Sequence, residues 1–268
     1  MSTFDEYATK YHTVRMRRED NILEMQLHTD GGSWRWAKAA TAELEEAFLD
    51  VGRDHENHVI ILTGTGAEFS GPAVTPVGQE GPVKKTPDRV TPTYWDAVYW
   101  EGKHLLMNLL DIEVPMISVV NGPCVRHAEI PVMCDIVLAA EEAAFRDSAH
   151  FQAGRVPGDG MHAVFPLLMG LNRARYFLYM GQTVSAADAL DFGLVNEVLP
   201  RQELLPRAWE IARQIMLRPP LVRKYTRILL TQDVKHRMHD LLGYGLAMEG
   251  LADSRLARAA TAGMGAEK

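Results

Sequence analysis

The chain has 268 residues, 47% of them hydrophobic, with 28 Lys and Arg against 35 Asp and Glu, for a formal net charge of -7. That apolar content supports the core of one large domain, or of a domain with an appendage, while the acidic balance and the lack of any lysine-rich block argue against a grip on nucleic acid or an anionic membrane. The two cysteines, Cys124 and Cys134, stand outside any CxxC or metal-ligand spacing, no run reaches the roughly 18 apolar residues of a membrane span, and the N-terminus has no apolar leader core; the expectation is a cytoplasmic protein without a metal, acting on a small molecule.

In chain order, residues 12–18 (HTVRMRR) and 21–28 (NILEMQLH) read as two short strands around a turn at Glu19 and Asp20. Ala40, Leu44, Ala47, Phe48 and Val51 recur at helical spacing. HVIILTG (58–64) is a β-branched strand ending in glycine. Residues 76–93 carry four prolines and little periodicity, and read as a long loop beside a site or as a surface insertion. The aromatic group Tyr94, Trp95, Tyr99 and Trp100 sits at mixed helical spacing and reads as core packing. Leu105, Leu109 and Ile112 continue a helix toward Pro115, and PMISVVNG (115–122) is the next strand.

This alternation predicts crossover units and a mostly parallel sheet whose strand ends supply the functional loops. DIVLAAEEAAF (135–145) is a further strand, an acidic turn and a short apolar piece, after which helices dominate. Ser185, with Asp188 three residues on, marks a helix start. Leu204, Leu205, Ala208, Ile211, Ala212 and Ile215 form an apolar stripe that stops before Pro219 and Pro220. A last helix covers about 235–255, and the Ala/Gly-rich end after Arg258 is expected to fray.

SAHFQAGRVPGDG (148–160) places His150 nine residues before Asp159 across a glycine-containing turn. Such a turn lets the two side chains meet, as a base and its orienting carboxylate, but the spacing alone does not prove it, and a loop histidine and a turn aspartate remain the commoner reading of such residues. HENH (55–58) is not HExxH, which leaves no zinc signature.

The ordered set VIILTGTGAEF, ISVVNGP, PVMCDIVLAA, VPGDG and MGQTVSAADALDFGLVNEVLPRQELLPRAWEIARQI resembles the crotonase (enoyl-CoA hydratase/isomerase) superfamily over about residues 10–235. The resemblance implies an α/β fold: a ββα spiral core over residues 1–200 and a C-terminal helical region over 201–268 that serves trimer contacts, in a homotrimer or dimer of trimers. It also implies catalysis by stabilising an enolate-like oxyanion with backbone N–H groups. Two departures stand out. Where CoA-using members carry a glycine-rich run such as GGGCE, this chain has CVRHAE (124–129), with Arg126 and His127 at glycine positions. Their FxxGAD element reads here as Phe69 to Val74, with Pro72 for the glycine and Val74 for the acid. Glycines there let backbone N–H groups approach a ligand, so the changes weigh against thioester binding.

HTDGGSWRW, NGPCVRHAEIPVM, AHFQAGRVPGDG and GLAMEGL look like one branch of that superfamily, the β-diketone hydrolases typified by 6-oxocamphor hydrolase, which cleave a carbon–carbon bond without CoA or another cofactor. The departures from it are Thr41, where the camphor enzyme has histidine, and the loop near residues 80–92. The likeness implies His150 as the base on water, Asp159 as its orienting acid, His127 as partner of the enolate, and Glu249 as the group orienting water. Glu249 stands on a distant helix, in its own or a neighbouring subunit. Trp36 and Ala73 are implied at the substrate. The expected partner is a diketone, with neither nucleic acid nor membrane. Glu129 aligns with one of the paired glutamates of hydratases, and His150 replaces the other. Two rival readings stand: a CoA-dependent hydratase or isomerase, and a non-catalytic scaffold on the same fold.

Overall fold

The computed structural model describes residues 2–72 and 92–252. A short N-terminal helix, α1 (Phe4–Tyr7), precedes the hairpin β1 (Val14–Glu19) and β2 (Ile22–Leu27), which pair antiparallel with Val14 opposite Leu27. The hairpin turn falls on Asp20 and Asn21, both at positive φ (49° and 64°), one residue later than expected. Two consecutive left-handed residues give the tight turn whose twist matches its strands, and Asp and Asn tolerate that backbone.

After β3 (Trp34–Trp36), helix α2 (Lys38–Arg53) lays Ala40, Leu44, Ala47, Phe48 and Val51 into the core. β4 (Val59–Thr63) follows, then the three-residue β5 (Ser70–Pro72), α3 (Pro92–Asp111) and β6 (Met116–Val120). Every residue of β4 and β6 is buried, as befits β-branched strands covered on both faces. Next come the single-turn α4 (Glu129–Val132), β7 (Ile136–Ala140) and β8 (Ala144–Phe145). A 3-10 turn at Phe151–Ala153 leads to α5 (Met161–Met169), α6 (Leu171–Met180), β9 (Val184–Ser185), α7 (Ala186–Phe192) and β10 (Glu197–Leu199). The chain closes with α8 (Arg201–Met216), α9 (Pro220–Leu230) and α10 (Gln232–Ala252). Ser185 caps α7, its Oγ accepting from the Asp188 N–H at 3.1 Å.

The main sheet has the order β1-β2-β4-β6-β7-β10, parallel throughout except for the β1–β2 hairpin. α2 packs on α3, α10 on α3 and α5, and α8 against β4, β6 and β7. A smaller layer, which the sequence did not reveal, is built from β3 beside β5 and β8 beside β9. Cys124 joins its halves: the Cys124 N–H donates to Ala144 O at 2.7 Å, and the N–H of the next residue, Val125, to Ser70 O at 3.1 Å. Cys124 is fully buried there, and burial pushes its thiol up to about 12, which fits a small packing residue rather than a nucleophile.

The aromatic group on α3 divides. Trp95 donates its indole N–H to Leu246 O at 3.1 Å and ties α3 to α10, whereas Trp100 is 61% exposed and stacks on His104. Among the described residues no helix is long and apolar enough to cross a membrane. The expected loop at 76–93 falls on residues outside the described ones, except for its last two, which open α3; the fraying tail lies outside them as well.

Candidate active site

Four segments converge at the carboxyl end of β6 and beside it. The loop leaving β6 runs through Cys124 and reaches His127 with φ at +51°. A left-handed residue with a side chain costs about 1–2 kcal/mol, a bend glycine would make freely, so the loop holds a ring where the backbone favours none. Held strain of this kind marks functional positions. Two residues on, Glu129 opens α4, fully buried.

The second segment follows β8. Asp147 accepts from the N–H groups of Ala149 (3.1 Å) and His150 (3.3 Å), an aspartate-closed turn that also presents its Oδ1 to His150 Nδ1 at 2.8 Å. The third is the PGDG loop carrying Asp159. A Cβ on Gly158 would lie 2.2 Å from Gly245 O, and one on Gly160, whose φ is +107°, would lie 2.7 Å from a Leu106 methyl. Only glycine lets this loop press against α10 and α3. The fourth segment is α10 itself, which brings Glu249 of the same chain into the group.

The resulting geometry centres on one carboxylate. Asp159 Oδ2 lies 3.1 Å from His150 Nε2 and 3.4 Å from His127 Nδ1. His127 Nδ1 also meets Glu129 Oε1 at 2.6 Å, and Glu249 Oε1 stands 3.9 Å from His150 Nε2. Trp36 stacks on the His127 ring with centroids 3.3 Å apart and planes 19° apart. One oxygen on each of Glu129, Asp147 and Asp159 is buried with no hydrogen-bond partner among the described residues. The Thr41 hydroxyl is spent on Ala37 O, one turn back on α2.

Burial and charge act against each other here. Burial alone would lower His150, but Asp159 and Asp147 outweigh it and push the imidazole up to about 11. Burial would raise Asp159, yet His150 and His127 hold it well below the usual carboxylate range. His127 is raised, burial being overcome by Glu129 and Asp159. Glu129 is raised by its burial against the pull of His127. Burial and the charge on Asp159 push Glu249 up to about 7.

The structure thus brings together five of the six residues singled out from sequence, namely Trp36, His127, His150, Asp159 and Glu249. Ala73 lies outside the described residues. Sequence reasoning missed Asp147, whose signal was its place three residues before His150, and left Glu129 as a remnant of the hydratase pair. Donor atoms of His127, Glu129 and Asp159 lie within 4.8 Å of one another, a spacing compatible with a cation. Ligands at 2.0–2.1 Å from a tetrahedral zinc stand about 3.3 Å apart, whereas His127 and Glu129 touch at 2.6 Å, the distance of a shared proton.

The sequence pattern of the enoyl-CoA hydratase/isomerase family matches residues 17–248. The chain belongs to this crotonase family. Within it, this crotonase is 29% identical over 211 residues to a carnitinyl-CoA dehydratase of Salmonella enteritidis, covering 78% of this chain and 76% of the relative. It is 27% identical over 130 residues to an enoyl-CoA isomerase/hydratase of Mycosarcoma maydis, a match spanning 48% of this chain and about half of that protein (47%). Among solved structures, a β-diketone hydrolase from the cyanobacterium Anabaena sp. PCC 7120, bound to (S)-3-oxocyclohexyl acetic acid, superposes with a TM-score of 0.86 at 43% identity, covering 94% of this chain and 97% of the other. An enoyl-CoA hydratase/isomerase from Mycobacterium paratuberculosis shares the fold at a TM-score of 0.79 and 21% identity, over 92% of this crotonase and 94% of that chain.

Proposed function

We propose that this crotonase hydrolyses a carbon–carbon bond of a β-diketone, a cyclic one, by retro-Claisen attack of water, giving a keto acid. The observation that carries the reading is the placement of two imidazoles on one aspartate where hydratases use a glycine loop and paired carboxylates. The 43% identity to a β-diketone hydrolase holding a ketone with a carboxylic acid arm supports it.

A water at hydrogen-bond distance from both Glu249 Oε1 and His150 Nε2 fits their 3.9 Å separation. In this reading Glu249 takes the first proton, because a group held at about 7 is matched to neutral pH, while His150 at about 11 rests as an imidazolium. The base therefore moves from His150, where the sequence suggested it, to its neighbour. Asp147 and Asp159 then fix the His150 ring from both ends, and its charge stabilises the alkoxide formed as the water oxygen bonds to one carbonyl carbon.

Collapse of that alkoxide re-forms a C=O bond, breaks the carbon–carbon bond and sends the electron pair into the enolate of the second carbonyl. His127 Nε2–H hydrogen-bonds the enolate oxygen and later protonates its carbon; the Trp36 indole N–H anchors the same end of the substrate. A homotrimer is proposed as the assembly, supported by the exposed apolar residues Leu221, Val222, Tyr225, Leu229 and Leu230 along α9.

The names of the curated relatives favour a second reading, CoA-thioester hydration or isomerisation. A panel of cyclic 1,3-diketones and acyl-CoAs separates the two. Loss of enol absorbance with formation of a keto acid is expected; thioester turnover without diketone cleavage overturns the proposal, and inertness toward both leaves the scaffold reading standing.

A further inference from the structure

We propose that Glu129 is a positioning residue whose carboxyl shares one proton with His127 Nδ1, which keeps an N–H on Nε2 facing the substrate. The enolate that receives this proton rests on the diketone reading; the proton arrangement itself does not.

Three contacts define the His127 ring. Trp36 covers one face, Glu129 Oε1 meets Nδ1 at 2.6 Å, and Asp159 Oδ2 stands 3.4 Å from the same nitrogen. Nε2 has no hydrogen-bond partner among the described residues, so it is the ring nitrogen left for a ligand. Glu129 is fully buried, and among the described residues its other oxygen, Oε2, has no hydrogen-bond partner and the His127 imidazole is the side chain that bonds Oε1. A buried carboxylate with so few donors is costly unless it gains a proton or faces a cation. Among the described residues, His150, held between Asp147 and Asp159, Asp159 itself and Glu249 are further charged groups facing the pair.

Three placements put the proton of the Glu129–His127 pair to use in the 2.6 Å contact or on Nδ1 beside a carboxylate. With the carboxyl O–H donating to Nδ1, a neutral imidazole carries its hydrogen on Nε2. With the carboxylate accepting from Nδ1–H of an imidazolium, Nε2 again carries a hydrogen. Nε2 is bare only when the neutral ring carries its hydrogen on Nδ1, and, beside a carboxylate, that is the state reached after donation.

The balance closes. The enolate carbon forms a C–H bond to the Nε2 proton, the N–H electron pair stays on nitrogen, and the shared proton settles on Nδ1 beside the Glu129 carboxylate. Glu249 has meanwhile gained a proton from water. Its return to Nε2 restores both groups. Glu129 thus makes His127 a donor before and during enolate departure, a role that its fixed placement on α4 serves and that a vestigial glutamate would not need.

The test uses the whole wild-type protein labelled with nitrogen-15 in its histidine rings. NMR without substrate is expected to show His127 Nε2 protonated across the neutral range, and to show it bare in part of the population once Glu129→Gln removes the shared proton. A bare Nε2 in the wild-type protein overturns the proposal, whatever the enzyme's substrate proves to be. With a turned-over diketone, Glu129→Gln is expected to lower kcat about 10²–10³-fold with KM little changed. Unchanged kcat in a folded variant overturns it as well. Wild-type protein inert toward diketones would instead remove the functional reading and leave the NMR result to decide this one.

Discussion

Replacing Glu249 by Gln should make the protein more stable and less active, and the size of both effects follows from the carboxyl's surroundings. Burial and the neighbouring charge on Asp159 move this group from 4.5 to about 7. At about 1.4 kcal/mol for each pKa step, the ionised form carries a penalty of about 3 kcal/mol in the folded protein. Below about pH 4 the group is neutral in both folded and unfolded chains and costs nothing. As pH rises past 4.5 the unfolded chain ionises first, so stability is lost until the folded group also ionises near 7, after which the loss is constant. Glutamine keeps the shape and cannot ionise. Denaturant unfolding should therefore show Glu249→Gln and wild type alike at acid pH, with the variant gaining up to about 3 kcal/mol at alkaline pH, a rise on the order of 10 °C in Tm for a chain of this size. Turnover of a diketone should fall about 10²–10⁴-fold, as for loss of a general base. A variant no more stable at alkaline than at acid pH, or one that keeps full turnover, would refute the reasoning.

Three further outcomes follow from the same cluster. His150→Ala leaves Asp147 buried without its cation and Asp159 with His127 alone, and should cost about 3–5 kcal/mol at neutral pH along with turnover; the stability drawn from His150 is full below its ordinary 6.5 and fades as pH rises toward about 11, so the wild-type advantage should shrink on titration to alkaline pH. In wild type, kcat should rise with pH through about 7 as Glu249 ionises, and the pH–rate profile of Asp159→Asn should lose amplitude because the ring of His150 loses the negative charge facing its Nε2. Gly158→Ala should cost about 1–3 kcal/mol and lower activity, since its methyl would meet Gly245 O at 2.2 Å and force Asp159 away from Glu249; an unperturbed melt and full activity would show that the loop has room.

What was legible in the sequence follows from the physics of each element. β4 and β6 announced themselves because strands buried on both faces must be continuous apolar runs, and α2 and α8 because each buries one stripe. The second layer escaped because β3, β5, β8 and β9 have two or three residues each, too few to show a period, and because it is stitched through Cys124, which pairs as an isolated bridge. In the site, the turn between His150 and Asp159 permitted the meeting that the structure shows, but only the place of Asp147 three residues earlier hinted that His150 lies between two acids. The second, Asp147, is placed by a local turn rather than by a motif. Glu249 was reachable only by resemblance, since α10 comes to the site through the contact of Gly158 with Gly245.

The central claim, that water held by Glu249 and His150 cleaves a diketone, is tested most directly by single turnover in oxygen-18 water with mass analysis of the product. One labelled oxygen in the new carboxyl group of a keto acid is expected. An unlabelled carboxyl, or a diketone left intact while an acyl-CoA is consumed, would contradict it.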